Sequence, residues 1–139
     1  MDAETRGRVS EREAMILGVG TDLMEIARIR QSIARFGDRF LARVFTPREI
    51  EYCQRKKNAA ESFAARFAAK EAGAKALGTG ISHGVNWLEL EVAREPSGKP
   101  LLQLSGRAAL RAQSLGVAHI SLSLTHSRDT ALAVVIMES

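Results

Sequence analysis

An alanine-rich stretch between Ala59 and Leu77 constrains the fold of this chain more than any other segment. Alanine has the highest intrinsic helix propensity, so this stretch predicts one long helix in the middle of the chain. Asn58 is the predicted N-cap, and Gly78 supplies the left-handed residue at which such a helix ends. The many small side chains also allow another backbone, or a ligand, to approach this helix closely.

Charged residues interrupt the alanines in the second half of this predicted helix. Glu71 and Lys75 are four residues apart on one face, so their spacing alone favours a surface ion pair worth about 0.2–0.5 kcal/mol. A carboxylate near Arg66, Lys70 and Lys75 would also suit a magnesium-bound phosphate, because Mg²⁺ takes one or two carboxylates together with phosphate oxygens and waters. The spacing leaves both interpretations open.

The other segments predict an α+β fold with a mostly antiparallel sheet. Glu25–Val44 has the apolar period of a helix, and Gly37-Asp38 is placed so that two helices fit as well as one. Thr46, Pro47 and Glu49 have the pattern of a capping box that begins a helix running to about Arg55. The remaining predicted elements are strands at Met15–Val19 (ended by Gly20-Thr21-Asp22), Trp87–Val92, Leu101–Leu104, His119–His126 and Thr130–Met137, a turn at Pro96–Pro100, and a helix at Ser105–Leu115.

Two residues at predicted strand ends are candidates for chemistry. Asp22 follows Gly18 and Gly20, which would let a ligand come close, but an acid at this position serves equally well as a helix cap. His126 has the parity of Leu122 and Leu124 and is therefore predicted to point inward. An inward histidine is more often a hydrogen-bonded core residue than a catalytic one, so the pattern alone favours the core interpretation.

Composition places the chain among single-domain globular proteins. Its 139 residues are 45% hydrophobic and 26% charged, which is typical of one packed domain. The one cysteine, Cys53, excludes an internal disulfide framework and suits a reducing compartment, the cytoplasm. The longest apolar run, Ala131–Met137, is far shorter than the ~20 residues that a membrane-spanning helix needs. Residues 1–14 are strongly polar and are predicted to be a disordered extension, which leaves 15–139 as the folded domain.

Positive charge is concentrated on one side of the predicted helical segment that begins at Glu25. The segment from Ile26 to Ala60 contains nine basic residues and three acidic ones. Arg28, Arg35 and Arg39 fall on the side opposite the apolar stripe, which Ile26, Ile29, Ile33, Phe36 and Phe40 form. A one-sided arginine stripe suggests an acidic macromolecular partner, either a protein or a nucleic acid. The few aromatic residues follow the apolar stripe, so a platform for base stacking is poorly supported.

Several motifs, taken in order, resemble those of the bacterial holo-[acyl-carrier-protein] synthases, the short single-domain type of 4′-phosphopantetheinyl transferase. The matching segments are Gly18–Asp22, Phe40–Glu49, Phe63–Gly80, Gly98–Pro100 and Ser121–Ser127. Together they extend over about residues 15–138, and the central helix motif is the most specific of them. The resemblance implies an α+β phosphopantetheinyl transferase fold with a long central helix, assembled as a homotrimer that binds coenzyme A between subunits.

The resemblance also implies a reaction and the residues that perform it. The 4′-phosphopantetheine group of coenzyme A would pass to a serine of apo acyl carrier protein, with release of adenosine 3′,5′-bisphosphate. Asp22 and Glu71 fall on the magnesium-binding acids, and Glu71 and Lys75 on the catalytic positions. The implied coenzyme-binding residues are Arg66, Lys75, Gly78, Gly80, Thr125 and His126, and the implied carrier-protein docking residues are Arg28, Arg35 and Arg39. The general base is left open between Glu71 and a water molecule, and so is the identity of the carrier proteins.

The resemblance favours a cytoplasmic enzyme with no membrane or nucleic-acid partner. The alternative is a non-catalytic basic module that binds nucleic acid or an acidic protein. That alternative accounts for the arginine stripe, but it gives no reason for Asp22, Glu71 and Lys75.

Overall fold

The computed structural model describes residues 13–139, which form five strands, five α-helices and one short 3₁₀ helix. Residues 1–12 of the predicted N-terminal extension lie outside the described residues. In chain order the elements are β1 (Ile16–Glu25), α1 (Ile26–Phe36), α2 (Asp38–Val44), α3 (Pro47–Gln54), α4 (Ala59–Ala76), the 3₁₀ helix (Trp87–Glu89), β2 (Leu90–Arg94), β3 (Pro100–Leu104), α5 (Gly106–Leu115), β4 (His119–His126) and β5 (Thr130–Glu138).

The strands form two antiparallel sheets, as the α+β prediction required. The larger sheet has the order β1-β5-β4, and the smaller one is the β2-β3 hairpin that the Pro96–Pro100 turn predicted. In the larger sheet Asp22 is paired with Ala133, and His126 with Ala131. Asp22 and His126, the two candidates for chemistry, therefore lie on the outer strands, on either side of β5.

Helix α4 packs across one face of the larger sheet, and the contact with β1 is between backbones. A Cβ atom added to Gly18 would lie 1.9 Å from the carbonyl oxygen of Ala76, and one added to Gly20 would lie 1.8 Å from that of Ala72. No side chain fits into such a space, so the two glycines and the small residues of α4 are needed together. This close approach places Asp22 beside the second half of α4.

Two hydrophobic clusters meet on α4. One joins α4 to β5, the β2-β3 hairpin and α5 through residues such as Leu77, Leu90 and Met137. The other joins α4 to α1, α2 and α3 through residues such as Ile29, Phe45 and Phe63. Helix α4 is therefore the element around which the rest of the described chain is packed. None of the helices in residues 13–139 combines the length and apolarity that crossing a membrane requires.

Most predicted elements are confirmed. Thr46 and Glu49 form the capping box, and α4 spans nearly the whole predicted stretch. Asn58 occupies the predicted N-cap position of α4, although its side chain makes no cap hydrogen bond. The predicted α1–α2 segment is two helices, separated at Gly37, which has a φ of 55°.

Three local predictions are wrong. Strand β1 does not end at Gly20 but continues to Glu25, because its glycines face α4 and not a turn. Residues 87–89 form a 3₁₀ helix, which leaves Leu88 exposed. Phe36 was placed in the apolar stripe but is 51% exposed, because α1 ends there.

The β1–α4 contact predicts that Gly20→Ala is strongly destabilising. The added methyl group meets a backbone carbonyl that no change of rotamer can move, so we expect the free energy of unfolding to fall by about 3 kcal/mol or more. Chemical denaturation at one fixed protein concentration measures the change. Gln103→Ala, at an exposed position of β3, is the control and should change stability by less than about 0.5 kcal/mol. Equal stability of the two variants would contradict this account of the packing.

Candidate active site

Asp22 lies in a partly buried position between β1 and α4, where only part of its charge is balanced. Lys75 Nζ donates to Asp22 Oδ1 at 3.2 Å and to the carbonyl oxygen of Thr21 at 3.0 Å. The other carboxylate oxygen, Asp22 Oδ2, is buried and has no hydrogen-bond partner among residues 13–139. An unpaired buried carboxylate oxygen is costly, so this atom is poised for a cation or a donor from a ligand.

Glu71 is the second carboxylate of this cluster. Burial raises the pKa of Glu71, the negative charge of Asp22 raises it further, and Lys75 opposes both effects. The ion pair that Lys75 makes is with Asp22 and not with Glu71, so the pairing favoured by helical spacing is wrong. The two neighbouring carboxylates, of which only Asp22 is paired with Lys75, are short of positive charge.

This donor set fits Mg²⁺. Within residues 13–139 no group of three or more His, Cys, Asp or Glu side chains is placed to hold a metal ion. A closed, all-protein cage of the kind that Ca²⁺ or Zn²⁺ uses is therefore not formed by the described part of the chain. Asp22 and Glu71 would supply two hard oxygen ligands, and Mg²⁺ usually completes such a set with waters and substrate phosphates.

Arg66 is also on α4 but takes part in a different cluster. Its side chain is almost fully buried, its guanidinium lies 4.1 Å from the centre of the Tyr52 ring, and its Nε has no partner. It lines a cavity of about 270 Å³ between α3, α4 and β2, to which Tyr52 and Arg94 also contribute. Tyr52 and Arg94 are not among the site residues predicted from the sequence, because no local pattern connects positions 52, 66 and 94.

His126 is exposed, so the prediction that it points inward is wrong. Its Nε2 atom lies 3.3 Å from Glu61 Oε1, and its side chain is 52% exposed. The parity of the strand is as predicted, but His126 is at the end of β4, where the first turn of α4 presents Glu61 and not an apolar side chain. Thr125, His126 and Arg66 line one further cavity of about 270 Å³. The structure thus brings together three of the predicted coenzyme-binding residues.

Gly78 and Gly80 shape the turn that follows α4. Both have positive φ, at 78° and 64°. The backbone N–H groups of Thr79 and Gly80 donate to the carbonyl oxygen of Ala74, at 3.2 and 3.1 Å, which folds the turn back over the end of the helix. This turn and Lys75 therefore lie at the same end of α4.

Lys70 is part of the scaffold and does not flank the carboxylates. Its Nζ is fully buried, lies 2.7 Å from Glu49 Oε1 and donates to the carbonyl oxygens of Trp87 and Leu90 at 3.0 and 2.7 Å. Burial lowers the pKa of Lys70, and Glu49 opposes that shift. Glu49 Oε2 in turn accepts from the backbone N–H of Val92 at 2.9 Å. All three ammonium donors have acceptors, so nothing is left to bind a ligand.

The arginines of the predicted docking stripe are exposed. Arg28 and Arg35 lie on α1, and Arg39 follows on α2. The guanidinium of Arg35 lies 5.1 Å from the centre of the Phe36 ring. The stripe thus presents positive charge beside an exposed aromatic ring, a combination common at protein–protein interfaces.

The sequence and the fold of this chain have clear relatives. The profile of the 4′-phosphopantetheinyl transferase superfamily matches residues 18–135, and the chain belongs to that superfamily. It is similar to the holo-[acyl-carrier-protein] synthases of Koribacter versatilis (strain Ellin345) and Solibacter usitatus (strain Ellin6076). The identity is 57% over 124 residues for the first (89% of this chain and 99% of that protein) and 54% over 125 residues for the second (90% and 100%).

Solved structures of the same group have the same fold. The crystal structure of holo-[acyl-carrier-protein] synthase from Neisseria meningitidis is 35% identical with a TM-score of 0.83, over 90% of this chain and 100% of that one. The Helicobacter pylori enzyme in complex with coenzyme A is 34% identical with a TM-score of 0.76, over 86% and 98%. The resemblance seen in the motifs is therefore confirmed for the family and the fold.

The different roles of Lys70 and Lys75 predict different effects of the same substitution. Lys70→Met leaves Glu49 buried without its cation, so the free energy of unfolding should fall by about 3–5 kcal/mol. Lys75→Met removes a half-exposed side chain and should change stability by less than about 1 kcal/mol while it lowers turnover. Denaturation curves and initial rates of both variants test this. A Lys70→Met protein with normal stability and no activity would contradict the scaffold role.

Proposed function

We propose that this protein transfers the 4′-phosphopantetheine group of coenzyme A to a serine hydroxyl of apo acyl carrier protein, as a holo-[acyl-carrier-protein] synthase. The observation that carries the proposal is the cluster of Asp22, Glu71 and Lys75 at the β1–α4 contact. In the reaction the serine oxygen bonds to the phosphorus on the pantetheine side of the pyrophosphate. The bond from that phosphorus to the bridging oxygen breaks, and adenosine 3′,5′-bisphosphate leaves with the bridging oxygen.

The residues of the cluster have distinct tasks in this reaction. Asp22 and Glu71 would hold Mg²⁺, which would supply positive charge to the pyrophosphate. Lys75 adds a mobile point charge beside the leaving group, since its ammonium is half-exposed and can turn from Asp22 towards a phosphate. Either Glu71 or a water molecule accepts the serine proton. Transfers of this kind rely mainly on positioning and electrostatics, which fits a site made of charged side chains.

In this proposal coenzyme A extends from the cluster of Asp22, Glu71 and Lys75 towards Arg66. The Gly78–Gly80 turn lies beside Lys75, and Arg66, Thr125 and His126 line one cavity nearer the start of α4. We assign these residues to binding of coenzyme A. The complex of the Helicobacter pylori relative with coenzyme A supports this assignment at the level of the ligand.

Intact-mass spectrometry of an apo acyl carrier protein tests the reaction directly. Incubation with this protein, coenzyme A and Mg²⁺ should add one phosphopantetheine group of about 340 Da, and EDTA should prevent it. Asp22→Asn and Glu71→Gln should each lower turnover at least about 100-fold, because several kcal/mol of charge stabilisation are lost. Circular dichroism of both variants should match that of the unchanged protein.

Two outcomes would contradict the proposal. One is full activity of either variant, which would remove Asp22 or Glu71 from the site. The other is no mass gain on several carriers with a folded enzyme. Salt-sensitive binding to a DNA duplex, unaffected by coenzyme A, would then favour the basic-module alternative.

We propose that the stripe of Arg28, Arg35 and Arg39 docks the acidic carrier protein. Arg28→Glu combined with Arg39→Glu should raise the KM for the carrier on the order of tenfold, because charge complementarity becomes repulsion. The KM for coenzyme A should not change. Arg107→Glu, a single charge reversal at an exposed position on α5, is the control and should leave both constants unchanged. An unchanged carrier KM in the double variant would place the docking surface elsewhere.

We further propose that the protein works as a homotrimer in the cytoplasm. The face of the β1-β5-β4 sheet opposite α4 is apolar but not covered by the described chain: Val19 and Leu23 are 54% and 66% exposed, and Leu132, Val134 and Ile136 of β5 are half-buried. An apolar sheet face of this kind is a typical interface between copies of one chain. The buried free thiol of Cys53 suits a reducing compartment.

Sedimentation analysis tests the assembly. The unchanged protein should have about three times the 15.1 kDa mass of one chain. Val19→Lys with Leu23→Lys should dissociate it, because charges then occupy the apolar face. Leu110→Lys is the control: it changes an exposed leucine on α5, away from this sheet face, and should leave the mass unchanged. A monomeric unchanged protein would refute the homotrimer.

A further inference from the structure

We propose that Tyr52 is a positioning residue for the coenzyme site: its ring holds the buried guanidinium of Arg66 in place to bind a phosphate group of coenzyme A distant from the metal-binding acids. The inference rests on the proposed function and assigns a role to a residue that neither the motifs nor the family comparison singled out.

The Tyr52 ring is the point at which three cations converge. The guanidinium of Arg66 lies 4.1 Å from the ring centre, Lys56 Nζ lies 4.7 Å from it, and the guanidinium of Arg94 lies 5.4 Å from it. These cations come from α4, from the turn after α3 and from the end of β2. Attraction between a cation and the face of an aromatic ring is strongest where the cation is desolvated, as Arg66 is here. The ring therefore fixes Arg66 far more firmly than it fixes the two exposed cations.

The cavity beside the ring holds more positive than negative charge. Four arginines line it, at positions 48, 55, 66 and 94, and the acidic residues of the lining are Glu51 and Glu91. Arg66 Nε is buried without an acceptor. Burial raises the pKa of the Tyr52 hydroxyl, but Lys56, Arg94 and Arg66 together outweigh it, so the pKa lies below its ordinary value. A buried guanidinium with an unused donor, surrounded by other cations, points to an anionic ligand.

The geometry of α4 indicates which anion this is. Arg66 precedes Glu71 by five residues, which is about 7.5 Å along the helix and about 140° around it. A pyrophosphate held at Asp22 and Glu71 would therefore be on another side of the helix. Coenzyme A has one more phosphate, on the ribose 3′ position, and Arg66 is assigned to that group. Dephospho-coenzyme A lacks only this phosphate. Comparing it with coenzyme A therefore distinguishes binding at Arg66 from binding at Asp22 and Glu71.

The test compares coenzyme A with dephospho-coenzyme A as substrates of wild-type and variant proteins. The wild type is assayed first, and failure to modify the carrier with coenzyme A would refute the proposed function itself. With an active wild type, Tyr52→Leu should raise the KM for coenzyme A about tenfold and leave kcat and the KM for dephospho-coenzyme A within twofold. Tyr52→Met is a second variant without the ring, should the leucine variant not fold. Tyr52→Phe keeps the ring and should restore the preference for coenzyme A.

A double variant separates positioning from an independent role. In an Arg66→Ala background, adding Tyr52→Leu should have no further effect on the KM for coenzyme A, because the ring then has no guanidinium to hold. The proposal would be overturned by equal KM increases for both coenzymes in Tyr52→Leu or Tyr52→Met, or by no increase for either. A further increase in the Arg66→Ala background would overturn it as well. A Tyr52→Phe variant as impaired as Tyr52→Leu would also overturn it, since the hydroxyl and not the ring would then be responsible.

Discussion

The close contact between the β1 backbone and helix α4 is the constraint on which the rest of the structure depends. Gly18 and Gly20 face the carbonyl oxygens of Ala76 and Ala72 with no space for a side chain. This contact brings Asp22, on a strand, beside Glu71, on a helix, although the two are far apart in the sequence. Because both partners are backbone atoms, the fold sets the spacing between the two backbone segments that carry the carboxylates.

Helix α4 serves as scaffold and site at once because its faces are used differently. Alanines face the sheet, Lys70 is held by Glu49 and two carbonyl oxygens, and Glu71 and Arg66 face the candidate sites. The degree of charge balance distinguishes these roles. Lys70 has an acceptor for every donor, and its pair is structural. Asp22 Oδ2 and Arg66 Nε are buried without partners, and both lie where a ligand is expected. Buried polar groups that the chain itself leaves unpaired are thus the best structural guide to function here.

Much of the local structure could be predicted from the sequence. The α4 segment, the Thr46–Glu49 capping box and the β2-β3 hairpin each depend on residues close together in the chain, and all three are confirmed. The predictions that failed for charged side chains depend on contacts between distant segments. Nothing near Lys70 indicates that Glu49 is its partner, and the spacing of Glu71 and Lys75 gives no sign of Asp22. The parity of His126 is as predicted, but what lies opposite the end of β4 depends on a helix that begins 67 residues earlier.

The sequence by itself determined the type and order of the elements, the positive stripe on α1 and α2, and, through its motifs, the family. These follow from propensity, periodicity and short-range hydrogen bonding, which act over a few residues. Only the tertiary structure decided which partner each cation meets: Lys75 meets Asp22, Lys70 meets Glu49, and Arg66 meets the ring of Tyr52. The physical reason is that the strength of an electrostatic contact depends on distance and burial, and both are fixed only when α4 is packed against β1, α3 and β2.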